Sequence, residues 1–128
     1  MGVVSSPAKR KGTRAETELV LWLRENGWPD AERRALNGSR DRGDIAGVCS
    51  VAIEVKNRKE FAPAEWVDEA KAEAVNAGVN YHLVVAKRRM KPIEQGYAIQ
   101  EVGQAFRIAR RLLELERIVA LHGLEPAS

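Results

Sequence analysis

The chain has 128 residues and a mass of 14.2 kDa, 45% of them hydrophobic and 30% charged, which suits one globular domain with a real core. One cysteine, Cys49, excludes an internal disulfide framework and is expected to be a packed or incidental thiol, while two histidines far apart, His82 and His122, argue against zinc. A net charge of +3 says little in bulk, and the absence of a long apolar run or secretory segment points to a cytoplasmic protein with no membrane association.

Residues 1–10 read as a flexible basic leader. A helix is predicted from near Thr13, an N-cap with Glu16 at the capping-box spacing, to near Gly27 with Pro29 beyond. At about 100° per residue, Ala15, Leu19, Val20, Trp22 and Leu23 share one arc with Glu16, and Arg14 and Glu18 face solvent. Glu16 therefore either closes the capping box or presents a carboxylate inward, which burial would allow only with a cation, a metal or good hydrogen bonds. Residues 31–36 suit a short strand, followed by a polar loop from Asn37 to Gly43 whose glycines and arginines fit either phosphate contact or an ordinary surface connection.

The centre of the chain, Gly43 to Lys56, reads as two strands joined by a tight turn. Alternation in the second strand puts Ile53 and Val55 on one face and Glu54 and Lys56 on the other. Folding the hairpin back brings Asp44 beside that charged pair, so two acids and a lysine converge in a pattern fit for a metal with a charged helper. The plainer alternative is a surface ion pair, which stabilises by only about 0–1 kcal/mol. Pro63 opens a helix to Ala77, with Trp66, Val67, Ala70, Ala74 and Ala77 near helical spacing and Gly78 ending it. Residues 81–86 form a buried strand and 97–100 an edge strand. A last helix spans 101–122 with a wide apolar stripe, expected to pack within the subunit or against a partner. Basic residues cluster at Lys9, Arg10, Lys11 and Arg14, at Arg33, Arg34, Arg40 and Arg42, at Arg58 and Lys59, and from Lys87 to Lys91, while acids gather between Glu60 and Glu73. That separation either makes a positive stripe for nucleic acid or is ordinary solvated surface. The element order gives an α/β domain, helices against a small mixed β-sheet.

The segments Lys11-Gly12-Thr13-Arg14-Ala15-Glu16, Gly43-Asp44-Ile45 and Ile53-Glu54-Val55-Lys56, in that order, resemble the PD-(D/E)XK nuclease superfamily, and within it the archaeal-type Holliday junction resolvases also met in phages. The likeness covers roughly Lys9 to Lys87, and Gly43 stands where the family motif commonly has proline. The resemblance implies a restriction-endonuclease-like core over residues 11–100 with an added C-terminal helix over 101–128. It implies Mg2+, or Mn2+, held by Asp44, Glu54, the Val55 carbonyl and the helix acid Glu16, with Lys56 as catalytic lysine and Ser39 as a loop residue important for activity. Lys9, Arg10, Lys11, Arg14, Arg34, Arg40, Arg42, Arg58 and Lys59 would meet DNA. The expected function is a structure-selective endonuclease acting on four-way junctions as a homodimer, in a prokaryotic or phage-infected cell. The alternatives are a nuclease for flaps, ends or plain duplex, a DNA-binding module of the same fold without catalysis, and a small protein-interaction domain.

Overall fold

A computed structural model describes residues 6–34 and 41–123. Three helices and five strands follow one another: α1 (Pro7–Glu25), β1 (Glu32–Arg33), β2 (Ile45–Ala46), β3 (Val51–Lys56), α2 (Pro63–Ala77), β4 (Tyr81–Ala86), β5 (Tyr97–Ile99) and α3 (Val102–Leu121), with a 3-10 turn at Ile93–Gln95 before β5. The strands form one mixed sheet in sequence order, antiparallel except for the β3–β4 pair, which is parallel and bridged by α2.

Helix α1 starts at Pro7, not near Thr13, because Ser6 caps it: the Ser6 hydroxyl accepts a hydrogen bond from the Lys9 amide at 3.2 Å. A serine followed by proline at the first helical position satisfies one free amide and supplies a preset φ, a stronger start than Thr13. Lys9, Arg10 and Lys11 are therefore helical rather than part of a loose leader, and Glu16 lies too deep in the helix to close a capping box. The predicted strand over 31–36 is reduced to Glu32–Arg33, and residues 35 and 36 lie outside the described segments.

The sheet separates two apolar layers. On one side Ala15, Leu19, Val20 and Leu23 of α1 pack against Ile45, Ile53 and Val55. On the other, Trp66 and Ala70 of α2 cover Val84 and Ala86. Strand β3 thus has both faces covered, and its second face carries Ala52, Glu54 and Lys56 toward α2. Glu18, expected in solvent, is half-buried: one of its carboxylate oxygens accepts the Ile93 amide at 2.7 Å, so it caps the 3-10 turn. A helical wheel of α1 cannot see a segment that arrives 75 residues later. Cys49 is exposed rather than packed.

Helix α3 is rooted by one side chain. Gln104, 2% exposed, accepts the His82 amide at 3.0 Å and donates to the His82 carbonyl at 2.7 Å, completing the edge of β4 where β5 does not reach. Beyond that root the large apolar side chains are left uncovered by the described residues: Phe106, Leu112, Leu113, Leu115, Ile118 and Leu121 are all exposed. Gln104→Leu strands a buried donor and acceptor, each worth about 1–3 kcal/mol. We expect a clear fall in thermal midpoint by circular dichroism; an unchanged midpoint would mean that the His82 contacts contribute nothing to stability.

Candidate active site

The hairpin fixes Asp44 by backbone. Its amide donates to the Ile53 carbonyl and its carbonyl accepts the Arg34 amide, both at 2.8 Å, while the carboxylate oxygen Oδ2 accepts the Val55 amide at 2.8 Å. Gly43 makes this approach feasible. Its φ is +99°, and a Cβ there would sit 3.0 Å from the Ile53 carbonyl oxygen. Proline, with φ locked near −65°, could not adopt that conformation.

Glu54 projects from β3 toward α2 and is 6% exposed. Its Oε1 lies 3.3 Å from the Lys56 ammonium, which also meets Glu69 of α2 at 2.7 Å. This is a buried ion pair, not a surface one. Its other oxygen, Oε2, has no partner. Facing it is a residue the sequence reading did not single out: Glu73 of α2, 2% exposed, with neither carboxylate oxygen partnered. Carboxylate oxygens of Asp41, Glu54 and Glu73 all lie within 4.8 Å of one another. A signal for Glu73 was present, since Trp66, Ala70, Glu73 and Ala77 follow a four-three-four spacing that puts the acid on the buried face of α2.

Crowding these acids changes their chemistry. Burial, then the charge of Glu54, pushes the Asp44 carboxyl up to about 7 from its usual 3.8. Burial, then a hydrogen bond and charge repulsion from Glu54, pushes Glu73 up to about 11. Without a metal, Glu73 therefore keeps its proton at neutral pH, and that proton can be shared with Glu54, giving the facing oxygens a bond they lack when both are ionised. Lys56 goes the other way. Burial disfavours its charge, but Glu69 and Glu54 outweigh burial and hold the ammonium above its normal range.

An open cavity of about 580 Å³ brings together Glu16, Asp44, Glu54, Val55 and Lys56. Glu16 stands on its wall, inward as one of the two expectations had it, but its carboxylate is held by the Arg33 guanidinium at 2.9 Å. Lys9, Arg34, Arg42 and Arg58 line the same cavity, and the Arg34 Nε is buried with no partner. Lys11 and Lys59 line an adjoining hollow that shares Lys56 and Arg58. Arg10 and Arg14 are exposed on α1 and line neither hollow. Ser39 and Arg40 lie outside the described residues.

No protein-family model, curated protein sequence or solved structure matches the chain. Function must therefore be argued from the site. The donor set is oxygen only, which suits a hard divalent cation such as Mg2+ or Mn2+. Unpartnered buried carboxylate oxygens fit such an ion, because each is costly to bury as it stands. No helix among the described residues is long and apolar enough to cross a membrane.

Proposed function

We propose that this protein is a metal-dependent endodeoxyribonuclease of PD-(D/E)XK type on a restriction-endonuclease-like core, with four-way DNA junctions as its substrate. The observation that carries the reading is the meeting of Asp44, Glu54 and Lys56 in one cavity walled by Glu16 and by arginines and lysines. Behind that cavity the carboxylates of Asp41, Glu54 and Glu73 come within 4.8 Å of one another, a crowding that a ligand would relieve.

In this reading Asp44 and Glu54 would hold Mg2+, with Val55 on the same wall and Glu16, now paired with Arg33, beside it. When bound, the ion lowers the pKa of its water and offsets charge on the phosphoryl group. Lys56, kept charged by Glu54 and Glu69, lies where it can neutralise a phosphate oxygen or orient the attacking water. Water would add to phosphorus as the bond to the leaving oxygen breaks, the attacking water giving up a proton to solvent and the leaving oxygen taking one from solvent. Arg34, with a buried and unpartnered Nε, and Lys9 and Arg58 are placed to receive the flanking phosphates. Such contacts carry strong salt dependence and little base preference, so a junction would be selected by shape.

Cutting two opposed strands calls for two sites, and a second copy of the chain supplies the other most simply. The projecting α3 suits that role. Ile108, Leu112, Leu115 and Val119 recur by four and three residues, the seam spacing of paired helices. In a parallel pair Arg111 flanks this seam one turn from Glu116 of the other helix, a self-complementary charge match. The apolar seam and these matched charges favour another copy of α3 over a nucleic acid.

Labelled four-way junction, flap and linear duplex, incubated with Mg2+, Mn2+ or chelator, test the reading directly. Paired, symmetric nicks confined to the junction are expected. Cutting of every substrate would replace the junction with general duplex DNA, and binding without metal-dependent cutting would leave a non-catalytic module.

A further inference from the structure

We propose that Asp41, Glu54 and Glu73 form a second, inner site for a divalent cation, behind the one at Asp44 and sharing Glu54 with it. The proposal goes beyond the nuclease reading but rests on it for the position at Asp44. Glu73 does not line the open cavity, whereas Glu54 does. Glu54 therefore divides its two oxygens between two environments: Oε1 turns toward Lys56, and Oε2 is the unpartnered atom. Oε2 is therefore the oxygen that an inner ion would take.

The inner position is built rather than incidental. Asp41 is held from two directions: its Oδ1 accepts the Gly43 amide at 2.9 Å, and its carbonyl accepts the Asn76 side-chain amide at 2.8 Å. Asn76 lies three residues beyond Glu73 on α2, so the same helix supplies both the inner acid and the clamp on the loop. Gly43 lets that loop close down, since its φ is +99° and a Cβ there would come within 3.0 Å of the Ile53 carbonyl oxygen. Both oxygens of Glu73 are also sealed from solvent and, apart from a proton shared with Glu54, meet no donor among the described residues. A buried carboxylate without donors is one of the more costly groups a fold can carry, and a cation placed between Glu73, Glu54 and Asp41 would remove that cost for Glu73 and for the second oxygen of Glu54.

The ligand is a hard cation, because all three groups are carboxylates. Asp41, exposed at the mouth, is the entry side, and Glu73 is the closed end. An ion held there would neutralise the face of Glu54 turned away from substrate. It would thereby fix the orientation of the residue that the outer ion also needs.

Mn2+ is the probe. Titration of the full-length chain, followed by electron paramagnetic resonance of free Mn2+ and by calorimetry, is expected to show two sites per chain. Glu73→Gln keeps the volume and offers Glu54 an amide donor, so it should fold, as melting in chelator would verify. It is expected to retain one site, and Asp44→Asn is expected to retain the other. One site in the unaltered protein, unchanged in Glu73→Gln, would overturn the inner site in favour of a shared proton and leave the nuclease reading standing. Loss of all Mn2+ binding in folded Glu73→Gln would also overturn it, since a single site would then include Glu73. Absence of binding in every variant would remove both proposals together.

Discussion

Asp44→Asn is expected to cut metal-dependent cleavage by about a thousandfold while making the metal-free protein more stable. In the proposed nuclease the first effect follows from losing a ligand whose ion would contribute several kcal/mol to the transition state, at roughly 1.4 kcal/mol for each factor of ten. The second follows from the position of the carboxyl. Its folded pKa is raised to about 7 from 3.8, so the folded chain binds the proton more tightly than the unfolded one. The associated stabilisation is complete below pH 3.8 and is lost as pH rises toward 7, at up to about 1.4 kcal/mol per pH unit. Glu73 extends the same trend upward, from 4.5 to about 11. In chelator, the melting temperature of the unaltered protein should therefore fall steadily from pH 4 into the alkaline range. Mn2+ should reverse that fall, more strongly at higher pH, because the ion replaces protons that the acids hold. Asparagine cannot ionise and so removes its share of the slope, while its side-chain oxygen can still accept the Val55 amide that Asp44 accepts at 2.8 Å. Thermal melts across pH, with chelator or with Mn2+, decide the matter. A flat profile, or an Asp44→Asn protein that melts lower, would show that the acids are not in conflict and would withdraw the main reason for placing metal here.

Much of this architecture was legible because it depends on local patterns. The strand at Tyr81–Ala86, the helix from Pro63 to Ala77 and the hairpin around Asp44 follow from alternation, a proline start and a glycine stop. The opposition of Glu54 and Lys56 to Ile53 and Val55 also follows from strand alternation alone, and both apolar residues lie in the α1 layer. What was not legible depended on what comes opposite. Residues 1–10 read as a flexible leader, yet Pro7 within them sits at the first helical position, where proline starts a helix rather than stopping one. Glu73 had the spacing of a buried residue but the chemistry of a surface one, and only the placement of Glu54 across from it shows that chemistry and burial coincide. Glu18 was assigned to solvent for the converse reason, because its partner amide at Ile93 belongs to a distant segment. Periodicity identified the apolar stripe of α3 and could not say what covers it.

Double substitution of that stripe, Leu112→Arg with Leu115→Arg, is expected to turn a dimer into a monomer without unfolding the subunit. These leucines are 54% and 45% exposed in the single chain, so the fold does not depend on burying them. A two-fold pair of α3 helices, each about 30 Å long at 1.5 Å per residue, would bury them against their own copies. Each leucine taken out of water contributes roughly 1.5–3 kcal/mol, and two from each copy would be replaced by four like charges in one seam. Sedimentation at micromolar concentration should therefore show the unaltered protein as a dimer and the variant as a monomer, with thermal midpoints in dilute solution that differ little. On a four-way junction the monomer should lose paired incision and leave single, uncoordinated nicks. Orientation has its own readout. In a parallel pair, Arg111→Glu and Glu116→Arg should each weaken the dimer and together restore it, since the match across the seam is exchanged rather than lost. An unaltered protein that sediments as a monomer, or a double-arginine variant that remains a dimer, would rule out α3 as the surface that brings two active sites together.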